Sequence, residues 1–496
     1  MTLPPLKLRI LVVSLFATSF LGALDHTIVS TSLSTIAGEL GALQQMSWVV
    51  VAYTLAATVS LPVLGKLADT LGPRRVFLAS LTTFLLASLA CGFAPDMTWL
   101  IVARVVQGLS SAGLQLMSQT IIGAVTSPRE RPRLMSIIGS AFPVAIVVGP
   151  LLGGIISDTL GWQWVFWINV PLGAAALVLA SVAVPHLGER PRGRIDVPGA
   201  LTFTTAMIAL VLAVTWFPDE RLRPASLALL ATAVVVFGVF ALVERRAQQP
   251  FLPFGIFRNR TVAAGITLSA VIGIGLFSVV SYIPTFIQMA YRTSATVSGL
   301  VPIATVLGML VASLATGFRA SRTGRYRRWT IAGPSVAAAG LVVMAFLPVG
   351  LPLWAPMLVM GVVGLGTGAF MNLILAVVQG AVPRGDLGLV TATSGLVRQV
   401  GATVGTAIIG GVIAAGVVAL LPAGLNASTL TPDVAHAASP AVQAQIAAVY
   451  QSVMSPVFLA LAGVYAVGVV AAIMFPQGRL STDTASVEAQ LQPETV

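Results

Sequence analysis

Residues 9–32 read RILVVSLFATSFLGALDHTIVSTS, an apolar stretch with a single acidic residue, Asp25. A helix of about 20 apolar residues crosses a hydrocarbon core of roughly 30 Å, so this stretch is long enough to span a bilayer. A charge at mid-membrane costs about 2.5 to 3.5 kcal/mol even on insertion scales, and such residues are usually functional. The stretch therefore predicts a membrane helix that carries a functional carboxylate.

Similar stretches follow along the whole chain. Of its 496 residues, 57% are apolar and 9% are charged, whereas an average soluble domain is roughly 25% charged. The composition predicts an all-α, polytopic membrane protein. Its fourteen candidate spans cover residues 9–32, 47–66, 76–93, 98–125, 134–157, 164–185, 197–217, 225–243, 260–289, 298–318, 329–349, 353–379, 388–421 and 453–475.

The basic residues predict the orientation. An even number of spans places both termini on one side, and 22 of the 27 basic residues fall in the loops of that side, against three in the other loops. Because basic loops stay inside, both termini are predicted to be cytoplasmic. The net charge of +11 does not indicate nucleic-acid binding, since these residues are spread over short loops instead of one soluble domain.

An internal repeat divides the chain. Trp99, Gly113, Pro128, Arg129 and Leu134 recur 255 positions later as Trp354, Gly368, Pro383, Arg384 and Leu389. The spacing predicts a duplication: six-helix bundles in residues 1–186 and 260–475, two inserted helices in residues 187–259, and a cytoplasmic tail in residues 476–496. This is the architecture of a transporter whose halves rock around a central site. Residues 422–452 form the one long external loop, expected to be mobile or partly helical.

A specific pattern, GKLADTLGPRR, occupies residues 65–75 between the second and third spans. Gly65 and Gly72 permit a tight turn and close helix approach, while Arg74 and Arg75 stay at the surface. Asp69 can cap a helix start or pair with an arginine. We expect it to contact either the 129–133 loop or the start of the thirteenth span. The alternative is an ordinary basic loop.

A polar stripe runs down the fourth span. Arg104, Gln107, Ser111, Gln115 and Ser118 share one helical face. The stripe either seals against another helix through hydrogen bonds or lines a substrate cavity. The cavity prediction comprises Thr18, Asp25, Gln107, Ser111, Gln115, Asn372 and Arg398. For Arg398 the spacing leaves a packed seam and the cavity equally open.

Counting residues from the membrane edges places Asp25 and Arg104 at nearly equal depth. A static ion pair is one interpretation. The other is a proton site, because burial favours the neutral carboxyl and a nearby guanidinium favours the charged one. His26 points away from Asp25 and is given a secondary role. In the fifth span, Pro150 bends the helix and Gly149 and Gly153 permit close approach of another helix.

These motifs resemble those of the fourteen-helix drug:proton antiporter branch of the major facilitator superfamily, over essentially the whole chain. The similar stretches are residues 24–29, with Asp25, the gating loop 65–75, the proton-coupling motif 104–108, the antiporter motif Gly149, Pro150, Gly153 and Gly154, and residues 161–173, with Asn169. One departure is Ser321, which stands where Asp69 would repeat.

The resemblance implies a proton-coupled exporter of lipophilic neutral or monocationic compounds in a bacterial plasma membrane. It implies a monomer among membrane lipids, driven by the proton gradient without a cofactor or metal. The alternative on the same fold is a dedicated exporter of a lipid, a siderophore or a self-made antibiotic. A membrane enzyme is disfavoured, because the three histidines are scattered and no nucleophile or paired acids mark a catalytic site.

Overall fold

The computed structural model describes residues 4–41, 45–186, 196–217, 221–247, 254–421, 430 and 432–482. Throughout this part the chain is helical and contains no strand. Among these described residues, fourteen helical segments are long and apolar enough to cross a membrane. They confirm the predicted spans to within several residues at most ends. The last one begins at Pro440 instead of residue 453. The linker arginines 190, 192 and 194 and the tail from residue 483 lie outside the described residues.

The first half contains six spans in eight helices, because two spans are broken. The fifth span is broken at Ser140 and the sixth at Ile168. The helices are α1 (Pro5–Glu39), α2 (Met46–Leu71), α3 (Pro73–Gly92), α4 (Met97–Val125), α5 (Arg131–Gly139), α6 (Ala141–Leu160), α7 (Gln163–Trp167) and α8 (Asn169–Ala183).

The two inserted spans precede the second half. They are α9 (Val197–Trp216) and α10 (Arg223–Arg246), which pack against each other, and α9 also touches α2 and the helix at Leu387–Leu420. The remaining helices are α11 (Arg260–Tyr291), α12 (Ala295–Ser298), α13 (Leu300–Thr323), α14 (Arg327–Ala345), α15 (Trp354–Gly380), α16 (Leu387–Leu420), α17 (Pro432–Ala437) and α18 (Pro440–Ile473). In the predicted 422–452 loop, α17 and the start of α18 are therefore helical.

Helix packing repeats between the halves. In the first, α4 packs on α2 and α3, and α1 packs on α6; in the second, α15 packs on α13 and α14, and α11 packs on α16. A duplicated six-helix unit accounts for this pattern. The two largest buried cores follow the halves: one is rich in residues of α11, α15 and α18, and the other is rich in residues of α1, α3 and α4, joined by Leu375, Ala376 and Ala392 of the second half.

The halves meet at one end of the bundle, which we call the terminal face: the end that carries the start of α1 and the turns at Gly72 and Gly324. Both glycines adopt a left-handed backbone, with φ of 88° and 71°, which favours glycine. A Cβ on Gly65 would lie 2.6 Å from that of Ala392, and one on Gly317 would meet Ser136. The glycines therefore let α2 approach α16 and α13 approach α5, which closes the terminal face.

Candidate functional site

Asp25 lies at the centre of a buried polar network in the first half. Its carboxylate accepts hydrogen bonds from Arg104 Nη1 at 2.6 Å, Gln107 Nε2 at 2.8 Å and Asn169 Nδ2 at 2.8 Å. All four side chains are completely buried. The equal depth predicted for Asp25 and Arg104 is confirmed, since the two form an ion pair. Pairing with several hydrogen bonds is what makes two buried charges tolerable.

Arg104 is held from several sides. Its Nε donates to the carbonyl of Val49 at 3.3 Å and its Nη1 donates to Gln107 Oε1 at 2.8 Å. Its guanidinium lies 4.0 Å from the centroid of the Tyr53 ring, within the range of a cation–π contact. The helix α2 thus supplies two of the contacts that fix Arg104, which lies on α4.

Ser88 and Asn169 extend the network and were not predicted as site residues. Ser88 Oγ accepts from Gln107 at 2.7 Å and from Asn169 at 3.2 Å. Asn169 begins α8, next to the break at Ile168. Its Oδ1 is buried and has no hydrogen-bond partner, an unusual state for a buried amide oxygen. In the sequence Asn169 stands out only as part of the motif at residues 161–173. An amide side chain within an apolar span is the one signal that could have indicated a site residue there.

Tyr53 separates this network from a cavity between the halves. Its ring covers Arg104, and its hydroxyl donates to Ser111 Oγ at 2.6 Å. Both Tyr53 and Ser111 also line the cavity, together with His26, whose ring centroid is 5.7 Å from that of Tyr53. Tyr53 therefore touches the buried ion pair on one side and the cavity on the other. Sequence analysis missed it because an isolated tyrosine in a span carries no pattern.

The central cavity is formed by both halves. Of the predicted residues, Thr18, Ser111, Gln115, Asn372 and Arg398 line it. Asp25 and Gln107 do not, because they are completely buried behind the cavity wall. The cavity volume is about 170 Å³, whereas drug-sized ligands occupy pockets of roughly 300–1,000 Å³. The cavity must widen to accept such a ligand.

Arg398 lies on α16 and faces this cavity instead of a packed seam. The seam is formed by its backbone: Gly273 of α11 packs against the carbonyl of Arg398, and Gly401 and Gly405 pack against Ile274. Gln399 also lines the cavity. So do Phe142 of α6 and Phe277 of α11, whose ring centroids are 6.1 Å apart. Spacing alone left the seam and the cavity equally open for Arg398, and the structure places its side chain in the cavity lining.

At the terminal face, Asp69 accepts a hydrogen bond from the backbone N–H of Leu389 at 3.2 Å. Leu389 lies in the first turn of α16, where N–H groups have no partner within the helix. Gly388 permits the approach, since a Cβ there would lie 2.5 Å from Asp69 Oδ1. Of the two predicted contacts for Asp69, the start of the thirteenth span is confirmed.

The turn at Gly324, at the end of α13, is held by an arginine of the first half instead of an acid. Arg129 donates to the carbonyl oxygens of Ser321 at 3.1 Å and Arg322 at 2.7 Å, at the end of α13. An anion at a helix start and a cation at a helix end both complement the helix dipole. Within the gating loop, Arg74 instead contacts His186 and donates to the carbonyl of Ser181 at 2.7 Å, both in its own half.

The antiporter motif packs α6 against α1. A Cβ on Gly149 would meet Thr27, and one on Gly153 would meet Thr31 and Ile28, whereas one on Gly154 would have nothing within 4 Å. Thr27 also donates to the carbonyl of Ala145 at 3.0 Å. The predicted close approach at Gly149 and Gly153 is confirmed. Because Thr27 lies two residues from Asp25, this packing fixes the helix that carries the carboxylate.

The described residues contain no cluster of three or more histidine, cysteine or acidic side chains that could hold a metal ion. They do contain a second buried acid. Glu244, which the predicted boundaries placed just outside the eighth span, lies within α10 and is 4% exposed. Asp25 is nevertheless the one acid of the described helices that lies far from a helix end.

Comparison with known proteins agrees with this architecture. Residues 15–406 match the model of the Major Facilitator Superfamily. The uncharacterized MFS-type transporter Rv1877 of Mycobacterium tuberculosis is 33% identical over 480 residues, which are 95% of this chain and 70% of the relative. The multidrug transporter protein MdtP of Bacillus subtilis is 31% identical over 409 residues, which are 82% of this chain and 75% of the relative.

The chain therefore belongs to the major facilitator superfamily, and it is a multi-pass membrane transporter and not an enzyme. Among solved structures, the human organic anion transporter MFSD10 is similar, with a TM-score of 0.63 over 95% of this chain and 100% of that chain. At 16% identity this likeness concerns the fold alone. The resemblance read from the motifs is confirmed.

Proposed function

We propose that this protein is a proton-coupled exporter that moves lipophilic small compounds out of the cell by alternating access. One observation carries the proposal: the buried Asp25–Arg104 pair lies directly behind the wall of a cavity formed by both halves. The name of the relative MdtP supports multidrug transport. We take the terminal face as cytoplasmic from its basic loops. The protein acts in the plasma membrane as a monomer, without a cofactor.

The proton is carried on the Asp25 carboxylate. Complete burial favours the neutral acid, whereas the guanidinium of Arg104 at 2.6 Å favours the anion. A small displacement between the two helices therefore changes the affinity for the proton. The amide of Asn169 can form a hydrogen bond with both the charged and the neutral form of the Asp25 carboxyl group. Its Nδ2 donates to the carboxylate, and turning the amide over would present the unpartnered Oδ1 to a protonated carboxyl.

Tyr53 couples the cavity to the proton site. A ligand that fills the cavity presses on Tyr53 and Ser111 and so displaces the ring that covers Arg104. Displacement of Arg104 relative to Asp25 then changes proton affinity. Substrate binding and proton release are thereby linked through one side chain.

The cavity alters the expected substrate charge. Neutral lipophilic compounds remain part of the proposal. Monocations are not retained, because the lining contains the guanidinium of Arg398 and, in the described part of the chain, no carboxylate. A cation would enter a cavity of its own charge sign without a partner, which is unfavourable in a low dielectric.

The test uses N-phenyl-1-naphthylamine, an uncharged lipophilic probe whose fluorescence rises on binding. Added to the detergent-solubilised protein in weakly buffered solution, it should bind and release protons to a pH indicator. Asp25→Asn should bind the probe and release none. The matched control is Asp158→Asn, an exposed acid at the end of α6, which should behave as the wild type. Unchanged proton release in Asp25→Asn would exclude this carboxylate as the carrier.

A further inference from the structure

The guanidinium of Arg398 is a charge without a counter-charge. It is half-buried in the lining of the central cavity. Within the described residues it has no hydrogen-bond or ion-pair partner. Charged side chains inside a membrane protein are usually paired with one another or with backbone carbonyls. An unpaired guanidinium facing a cavity is therefore available to a ligand.

Other charges around the cavity do not neutralise Arg398. The lining contains no aspartate or glutamate among the described residues. Asp25 is completely buried behind Tyr53, and its charge is offset by Arg104 at 2.6 Å. The other titratable side chains in the lining are His26 and Tyr53, which carry no negative charge near neutral pH. The cavity thus has a positive potential, which low-dielectric walls focus on a bound ligand.

Apolar surface accompanies this charge. Phe277 lies one helical turn from Gly273, the residue that packs on the Arg398 carbonyl, and its ring faces Phe142 across the two halves at 6.1 Å. Leu61 and Ile138 also line the cavity. A planar carboxylate accepts two parallel hydrogen bonds from a guanidinium, while an apolar body packs against the aromatic rings.

We propose that the substrates bound most tightly are amphipathic monoanions, with an acidic group on Arg398 and an apolar body against Phe142 and Phe277. The inference rests on the proposed exporter function and names its substrate class. It also has an electrical consequence. Exchange of a monoanion for a proton moves the equivalent of two positive charges inward, so the membrane potential drives export together with the pH gradient.

Three probes that share one apolar scaffold test the inference: 6-(dansylamino)hexanoic acid, its methyl ester, and N-dansyl-1,6-hexanediamine. They differ in charge at the distal end, being anionic, neutral and cationic. Dansyl fluorescence in detergent-solubilised protein gives the three dissociation constants without any need for transport. The acid should bind about tenfold more tightly than the ester, which corresponds to about 1.4 kcal/mol. The amine should bind most weakly.

Variants at position 398 assign this preference to the guanidinium. Arg398→Gln should remove the difference between acid and ester, Arg398→Lys should retain part of it, and Arg398→Glu should make the amine the tightest ligand. Arg328→Gln, which removes an exposed arginine of the same half, should leave the order unchanged. A reversed order of probe affinities in Arg398→Glu would also show that the cavity of this variant is folded, whereas a loss of binding alone would not show this.

Equal affinities for acid and ester in the wild type would overturn the inference, as would an acid preference that survives Arg398→Gln. Neither result would contradict the proposal of a proton-coupled exporter, because that proposal is tested separately by proton release from Asp25. Conversely, tight acid binding without any proton release would reject the proposed coupling and leave the anion site standing.

Discussion

Asp69 of the first half accepts a hydrogen bond from the backbone N–H of Leu389 in the second half, at 3.2 Å. The carboxylate thus caps the helix α16 from outside, at the face where the two halves meet. In a transporter of this architecture, closure of one face accompanies opening of the other. The contact therefore stabilises the conformation closed at the terminal face, which we take to be outward-facing.

Asp69→Asn should shift the population toward conformers open at the terminal face. Loss of a charged helix cap costs about 1 kcal/mol, or roughly a fivefold change in the ratio of states. Spin labels at Leu71 and Thr323, both exposed near that face, report the distance between the halves in a Cys91→Ala background. The longer-distance population should grow in Asp69→Asn and stay constant in Asp158→Asn. A distance distribution identical to the wild type would mean that Asp69 merely shapes the turn.

Tyr53→Leu should uncouple proton movement from substrate. The substitution removes the ring that lies 4.0 Å from the Arg104 guanidinium, so water from the cavity can reach the ion pair. In proteoliposomes under an imposed pH gradient, a pH-sensitive dye should record a proton leak without substrate. Tyr53→Phe retains the ring and loses only the hydroxyl, with its bonds to Ser111 and to the Gly22 carbonyl, so this variant should not leak protons. Equal leak rates in the two variants would contradict a role for the ring as a barrier.

The glycines of the fifth span should differ in their tolerance of alanine. Gly149→Ala and Gly153→Ala insert a methyl group into contacts with Thr27 and Thr31, and overpacking of this kind costs about 1–3 kcal/mol. Gly154→Ala meets nothing within 4 Å and should be neutral or slightly stabilising. Thermal unfolding in detergent measures the three changes. If Gly154→Ala were as destabilised as Gly149→Ala, packing against α1 would not explain the motif.

Length and hydropathy determine much of this architecture, which is why the spans were predictable from the sequence, whereas the family was predictable from motifs such as residues 65–75 and 104–108. Depth along a helix can also be counted in residues, and this paired Asp25 with Arg104. Rotation of a helix about its own axis is harder to infer. Gln107 shares a helical face with Ser111, yet Tyr53 from α2 lies between the network and the cavity, so Gln107 is buried in the network and Ser111 reaches the cavity.

Partners from distant spans were the least predictable. Asn169 reaches Asp25, and Ser88 reaches Gln107, only because α8 packs beside α1 and α3 beside α4, and nothing local in either sequence specifies these contacts. The side of α16 on which Arg398 lies was undecided for a similar reason. Its helix has glycines toward α11 and polar residues toward the cavity, and only the packing of α11 separates the two faces.

The side chains of Asp69 and Arg129 both bond across the terminal face to backbone atoms of the second half: the N–H of Leu389 and the carbonyl oxygens of Ser321 and Arg322. A backbone group is present whatever side chain its residue bears. The two copies of the repeat are therefore under unequal constraint. The first must keep Asp69 and Arg129. The second must keep Gly388 and Gly317, which leave room for the approach, but the residues that supply these backbone groups can change their side chains. The serine at 321 is one such change, and only proline at 389 would delete the donor itself.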